Sequence, residues 1–465
     1  MKDIVKEPFL LAIIIALGIC YILLFYNAFA KNSKLAAKAE KIFAGLFLFT
    51  ISGATGASIS PFSKLHPSVM YNYNTTAVTI TAQIAIYFIT LFLLSSRLRY
   101  TLKDVINVII IILIKAPFIS LFLLMVSLSG FWSDTPDIAI KASLAYLAAS
   151  AIAVYVGKQY SWTELYRLFR WISFFGVIFS IYYAQFRPSI GRHLKGWSGI
   201  LGHPNQFAFF MALTAVLWFL YAIYSPKQRR LSAVVILLAL FSLQNANSGA
   251  SKVLILVLLS LWFYLNFVKK LPVQWAFISV VLFMIVSTIL VVFISDNLES
   301  IVVGGLGKDL TLTGRTEFWP QIIDKINQRP LLGYGSASFW QPWRGLADPG
   351  GDIIVAKTQF KPPHSHNGFL DLALQLGWVG LGLFILSFFN NLAKAVTYLT
   401  RTKLPEAGLP LVFLTYTIMT NLTETGLFGV TSVWFWYIVL TVRLTLDTNT
   451  KPQRESHGIR EPASL

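Results

Sequence analysis

Thr313-Gly314-Arg315-Thr316-Glu317-Phe318-Trp319 opens, and Pro363-His364-Ser365-His366-Asn367-Gly368 closes, a long polar stretch between about residues 311 and 380. Trp340, Trp343 and Arg344 lie between them. From Gly368 the chain turns apolar through Phe369, Leu370, Leu372, Ala373, Leu374 and Leu376. Asn367, Asp371 and Gln375 fall at i, i+4 and i+8 and so share one helical face. A polar stripe inside an apolar helix is expected to face protein or water rather than lipid.

Outward from this stretch, the composition decides the class. With 56% hydrophobic and 12% charged residues among 465, and repeated apolar runs of about 20 residues, the chain reads as an all-α polytopic membrane bundle. The runs fall near 8–30, 41–60, 75–96, 105–129, 138–157, 165–186, 205–224, 231–246, 251–268, 272–295, 368–390, 408–424 and 427–446, about 12–13 spans with one large external loop. The expected organisation is an additional N-terminal span (1–30), a bundle (31–295), a loop carrying the chemistry (296–367), C-terminal spans (368–446) and a disordered tail (447–465). Lys2, Lys6 and Ala28-Phe29-Ala30 imitate a cleaved signal peptide. That apolar run is too long for one, and Lys31, Lys34, Lys38 and Lys41 just after it oppose export.

The net charge of +18 does not imply nucleic acid, because the basic residues are dispersed in short loops without a nucleic-acid motif. They read as topology signals and anionic-lipid contacts. Alternate loops are basic (Arg97, Arg99 and Lys103; Lys158, Arg167 and Arg170; Lys227, Arg229 and Arg230; Lys269 and Lys270; Lys394 and Arg401), which turns them to the cytoplasm. The opposite loops are nearly bare, with two exceptions: the short segment holding Arg187, Arg192 and Lys195, and the long loop itself. Cations kept there against topology suggest an anionic ligand at the outer face.

Cys20 is the one cysteine, so the chain has no internal disulfide. Gly304-Gly305-Leu306-Gly307-Lys308 is not a phosphate loop, since Val302 stands at the required first glycine and Asp309 follows the lysine. The histidines lack the i, i+4 spacing of a zinc site, so no metal or other cofactor is expected, although distant ligands could converge. His366 enters a helix N-terminus, where the dipole favours a neutral imidazole and nearby anions. It suits a general base taking a proton from a hydroxyl, with Arg315 and Arg192 neutralising a departing pyrophosphate. The competing reading is a capping or surface histidine, and for Arg315 a simple pair with Glu317. Phe318, Ile322, Ile323 and Ile326 suggest an amphipathic helix lying on the membrane, with Pro320 near its start. Lys115 and Lys141 are expected as intramembrane cations, Lys141 four residues after Asp137.

His366-Asn367, nine residues, then Gly377-Trp378-Val379-Gly380 resembles the signature of the O-antigen ligase and Wzy-type polymerase superfamily. Trp132-Ser133-Asp134-Thr135-Pro136, Gly196-Trp197-Ser198-Gly199 with His203-Pro204-Asn205, Gly314-Arg315-Thr316-Glu317-Phe318-Trp319 and Asn421-Leu422-Thr423-Glu424 follow in the same order. The resemblance implies a metal-independent glycosyltransferase of GT-C-like fold in the bacterial plasma membrane. It implies transfer of a glycan from an undecaprenyl-pyrophosphate carrier to an acceptor hydroxyl at the outer face. His366 is then the base, and Arg315 and Arg192 bind the diphosphate. Lys195, His203, Asn205, Arg344, Asn367, Trp340 and Trp343 are the further substrate-binding candidates, the two tryptophans as sugar platforms. Pro204 stands where many polymerase-like members have lysine. The acceptor decides between a polysaccharide polymerase, which the Trp-Ser-Asp-x-Pro and Gly-Trp-Ser-Gly segments favour, a ligase to lipid A-core and a protein O-oligosaccharyltransferase. Membrane lipids and a chain-length regulator or flippase are the other candidate partners. A transporter or flippase is the rival from another class, expected to show repeated halves with matching broken helices.

Overall fold

A computed structural model describes residues 41–42, 98–194, 196–303, 315–355, 359, 361–402, 404–428 and 432–449, with the side chains of 98–105, 292–303, 315–317, 432 and 449 left out of the description. The expected spans at 8–30 and 75–96, that at 41–60 beyond its first two residues, Cys20, Lys195, Gly304–Lys308 and the tail beyond 449 therefore lie outside the described residues. Twelve helices of twelve or more residues organise the described chain: α1 (Leu98–Lys115), α2 (Pro117–Leu128), α3 (Pro136–Gln159), α4 (Trp162–Phe186), α5 (Pro204–Tyr224), α6 (Arg229–Ala246), α7 (Gly249–Val268), α8 (Val273–Val303), α9 (Arg315–Gln328), α10 (Gly368–Arg401), α11 (Leu409–Asn421) and α12 (Ser432–Asn449). Seven are long and apolar enough to cross a membrane among the described residues, or eight if the bent pair formed by α1 and α2 counts as one.

Local chemistry sets the helix boundaries. Proline occupies the first turn of α2, α3 and α5, where its missing N–H has no helical partner to lose. A capping box of Ser161 and Glu164 starts α4. Lys41 also reaches Glu164, at 3.3 Å. The expected span at 105–129 is not continuous: the chain bends by 106° between Lys115 and Pro117. Pro117 disfavours the helical conformation at Ala116, which sits at φ −135° and ψ 57°. Lys115 is thus the exposed last residue of α1, at the bend. Its carbonyl accepts from Lys394 Nζ at 2.7 Å, so a cation from a neighbouring helix closes the broken end.

In lipid, helices gain little from leaving apolar surroundings, and close packing with hydrogen bonds joins them instead. Between α10 and α12 there are three such rungs: Ser387 with Tyr437 at 2.8 Å, Asn391 Nδ2 to Thr441 at 2.7 Å, and Lys394 Nζ to Thr445 at 2.9 Å. Trp434 stacks on Tyr146 of α3, with ring centres 4.6 Å apart, and donates to Ser150 at 2.9 Å. Gly157 of α3 meets α12 so closely that a Cβ would lie 2.7 Å from the Val439 carbonyl oxygen. The last helix runs to Asn449, past the expected end at 446, and Trp162 and Arg443 both donate to Asp447.

The polar stretch folds on itself. Phe318, Ile322 and Ile326 lie on one face of α9 and are fully buried with Tyr334, Phe339, Trp340, Ile353 and Val355 against Ala373 and Leu374 of α10. The expected membrane-surface helix is therefore corrected: its apolar face covers a small core of its own, and Ile323 alone of the four isoleucine and phenylalanine positions points outward. Gln321 clamps Ile354 through both its amide oxygen and its amide nitrogen. Helix α10 breaks at Gly377, whose φ of 64° is left-handed. The segment 330–335 lies against this break: Trp378 N donates to Pro330 O at 2.7 Å, and Tyr334 N and Gly335 N donate to Leu374 O and Gln375 O at 2.9 Å each. The freed helix groups are thereby satisfied.

Candidate functional site

The loop before α10 is held from three sides. Trp319 Nε1 donates to Ser365 O at 2.9 Å, and Ser365 Oγ donates to Asn367 O at 2.6 Å. Asn367 is the N-cap of α10, its side-chain oxygen accepting from Phe369 N at 2.9 Å and Leu370 N at 3.2 Å. His366 sits between them at φ 50°, a left-handed backbone that a residue with a side chain adopts only when its surroundings impose it. Its backbone N donates to His364 Nδ1 at 3.2 Å.

The partner of His366 comes from the far end of the sequence. Glu424, in the turn after α11, places Oε1 3.8 Å from His366 Nδ1, with side chains 8% and 18% exposed, respectively. This is a charge contact rather than a hydrogen bond, and His366 Nδ1 has no hydrogen-bond partner among the described residues. Asn205 Nδ2 donates to the same Oε1 at 2.7 Å, and Glu424 N donates to Thr420 O at 3.0 Å. Burial opposes ionisation of this carboxyl, but His366, His364 and His203 around it outweigh burial and pull its pKa from 4.5 down to about 2. Glu424 is therefore an anion ringed by imidazoles. Gly368 lets α10 approach α11 at this point, since a Cβ there would collide with Asn421 Oδ1. Asn421 in turn accepts from Gly426 N at 2.8 Å, which shapes the turn presenting Glu424.

The other expected residues divide by place. Asn205 and His203 start α5 beside Glu424, and Asn367 caps His366's helix. The Pro204 that departs from the polymerase-like pattern is simply the first-turn proline of α5. Arg192 belongs to a two-residue antiparallel hairpin, β1 (Arg192–His193) with β2 (Gly196–Trp197). It is exposed, and its Nε donates to Ala184 O at 2.7 Å rather than toward His366. Arg344 Nη1 donates to Gln341 at 3.2 Å. Arg315 opens α9, and its side chain lies outside the described residues. Trp340 is enclosed, 9% exposed, with Nε1 donating to Asp371 at 2.8 Å and Gly350 packed on its ring. Trp343, 44% exposed, is the loop indole with a face toward solvent.

Several motifs from the sequence turn out to position the loop. The polar stripe of α10 faces protein as expected, with Asp371 accepting from Trp340 and Gln375, and Gln375 Oε1 accepting from Ala337 N at 2.7 Å. The segment Trp132–Thr135 docks the same loop: Trp132 Nε1 donates to Leu332 O at 3.0 Å, Ser133 bonds Ser338 at 2.7 Å, and Asp134 pairs with Arg329 at 2.8 Å.

One ligand atom each from His364, His366 and Glu424 fall within 4.8 Å of one another, a set that could hold a metal ion. The ligands come from two segments far apart in sequence, which is why helical spacing gave no sign of them. Glu424 is the residue of this cluster that sequence reasoning left without a role. Its signal was a carboxylate set between two apolar runs, where charge is costly and therefore retained for a reason.

Residues 232–385 match the O-antigen ligase family, a stretch that holds His366 and the Gly377 break but not Asn205 or Glu424. The exopolysaccharide production protein ExoQ of Rhizobium meliloti (strain 1021) is 23% identical over 290 residues, 59% of this chain and 65% of that protein. The ComP-specific O-oligosaccharyltransferase of Acinetobacter baylyi (strain ATCC 33305 / BD413 / ADP1) is 27% identical over 206 residues, 42% of this chain and 35% of that protein. The chain thus spans less than two thirds of the length of either relative.

Proposed function

From the match of residues 232–385 to the O-antigen ligase family, we propose that this multi-pass membrane protein transfers a lipid-pyrophosphate-linked glycan to an acceptor hydroxyl, with His366 as general base. The observation that carries this reading is the buried Glu424 carboxylate beside His366 Nδ1. A carboxylate on one ring nitrogen steadies the imidazolium that forms when the other nitrogen takes a proton. His366 Nε2 removes the acceptor's hydroxyl proton, the hydroxyl oxygen bonds to the anomeric carbon, and the sugar–phosphate bond breaks with its electrons leaving on the pyrophosphate. Arg315, Arg192 and Lys195 are the proposed cationic partners of that leaving group, and Trp343 and Arg344 those of the glycan. The 3.8 Å separation at Glu424 is one that substrate binding would close, as hydrogen bonds at such sites tighten in the reacting complex.

The reaction we favour is polymerisation of an undecaprenyl-pyrophosphate-linked repeat at the outer face of the bacterial plasma membrane. Similarity to an exopolysaccharide production protein supports that choice over transfer to lipid A-core. Transfer to protein is the second reading, supported by similarity to an O-oligosaccharyltransferase. The transporter reading predicted matching broken helices in two halves. The breaks at Ala116 and Gly377 instead differ in kind, one a 106° bend between two helices and the other a kink at a single left-handed glycine within α10, with residues 330–335 laid against it.

The test is transfer by purified protein from a lipid-linked oligosaccharide, before and after chelation. His366→Ala should lower turnover by about 100-fold or more, the range in which a general base contributes. Chelator should leave wild-type turnover unchanged. Loss of activity on chelation with rescue by zinc would instead assign His364, His366 and Glu424 to a metal.

A further inference from the structure

Helices α4 and α5 run from the His366 end of the bundle to the opposite end. Asn205 touches Glu424, and Tyr221 lies 16 residues along the same helix, about 24 Å away at 1.5 Å per residue. At that far end a cavity of about 570 Å³ opens among α4, α5, α6, α7 and the start of α11, within the size range of ligand sites. Nothing in the transfer chemistry uses it.

Its distinctive group is Arg170. The guanidinium lies 3.3 Å from the centre of the Tyr221 ring, with Tyr166 and Trp218 at 5.0 and 5.7 Å. Its Nε is buried and has no hydrogen-bond partner, and no carboxylate approaches it within ion-pair distance among the described residues. Stacking holds the plane of a guanidinium but leaves its in-plane N–H donors unused. Half-buried and without a protein anion, Arg170 keeps these donors for an anion supplied from outside the chain. Arg167, three residues earlier on the same helical face, also lines the cavity. Glu406 lines it too and would repel an anion, which confines the negative group to the arginine side.

The walls are fixed in place: Tyr166 Oη donates to Leu217 O at 2.6 Å, and Trp218 Nε1 donates to Ser173 Oγ at 3.1 Å. Part of the lining is open and largely apolar, with Trp171, Tyr224 and Leu231 respectively 50%, 40% and 38% exposed. An opening of this kind accommodates an acyl chain, whereas a free ion or a soluble metabolite has no use for it.

We propose that this cavity binds the phosphate headgroup of an anionic membrane lipid, with Arg170 on the phosphate and the acyl chains passing over Trp171 and Leu231. The experiment is native mass spectrometry of the purified full chain titrated with phosphatidylglycerol, phosphatidylcholine or inorganic phosphate. Wild type should retain one phosphatidylglycerol with at least about a tenfold preference over phosphatidylcholine, the preference one ion pair at reduced dielectric supplies. Excess inorganic phosphate should not displace it. Arg170→Gln should lose the preference and Arg170→Lys keep part of it, with glycan transfer at His366 retained in both. The lysine variant keeps the test decisive if glutamine compromises folding. Equal retention of the two lipids by wild type, or an undiminished preference in Arg170→Gln, would overturn the site. Displacement of the lipid by inorganic phosphate at equal concentration would overturn the lipid assignment.

Discussion

At the scale of single residues, the place of His366 and Asn367 at a helix start could be read from the sequence, because polar residues just ahead of an apolar run have a local signature. Glu424 could not, since its meaning depends on α11 returning to α10, a contact that no local pattern encodes. Its role is testable by charge removal: Glu424→Gln should lower kcat by about 100-fold, toward the lower end of what general-base catalysis contributes, with KM little changed. A fall in KM-dependent binding with intact kcat would make Glu424 a substrate ligand instead. The same carboxylate predicts an acid sensitivity. Its pKa is depressed in the folded protein, from 4.5 to about 2, so its stabilisation is complete above pH 4.5 and is lost as pH falls toward 2. The difference in thermal unfolding midpoint between wild type and Glu424→Gln should therefore narrow across that interval. A gap independent of pH there would show that Glu424 is not ionised in the folded state.

At the scale of elements, apolar length located the helices from α3 to α7 and the starts of α8 and α10 within a few residues, whereas α8 runs to Val303, eight residues into the expected loop. It missed the breaks, because hydropathy averages across a bend. The signals were present in Pro117, which restricts the residue before it, and in Gly377, whose left-handed backbone is cheap only for glycine. Helix α9 was legible as amphipathic, but the partner of its apolar face was not, because Tyr334, Phe339 and Ile353 belong to a loop with no periodicity of its own. Gly377→Ala should destabilise the protein by about 1–3 kcal/mol, the usual cost of forcing extra atoms into a packed site, since its Cβ would collide with the Leu331 backbone. Thermal unfolding in detergent measures this. An unchanged midpoint would mean that the segment 330–335 yields without loss and does not hold the break rigidly.

At the scale of the molecule, the bundle separates two chemistries by the length of its helices. One end holds Glu424 among His203, His364 and His366 under a loop braced by Trp132–Thr135 and α10. The other holds Arg170 in an aromatic cavity. The sequence carried the class of protein, since composition and charge distribution suffice to specify a polytopic helical bundle. It could not carry the convergence of residues from 203 to 424 on one site, which is a property of packing. The most direct test of the central claim is single-turnover transfer from a purified lipid-pyrophosphate-linked oligosaccharide, comparing wild type, His366→Ala and Glu424→Gln, all shown to be folded and to bind the donor. The account predicts product from wild type, with the chemical step slowed about 100-fold or more in both variants while donor binding is retained. A chemical step at the wild-type rate in folded His366→Ala would contradict it.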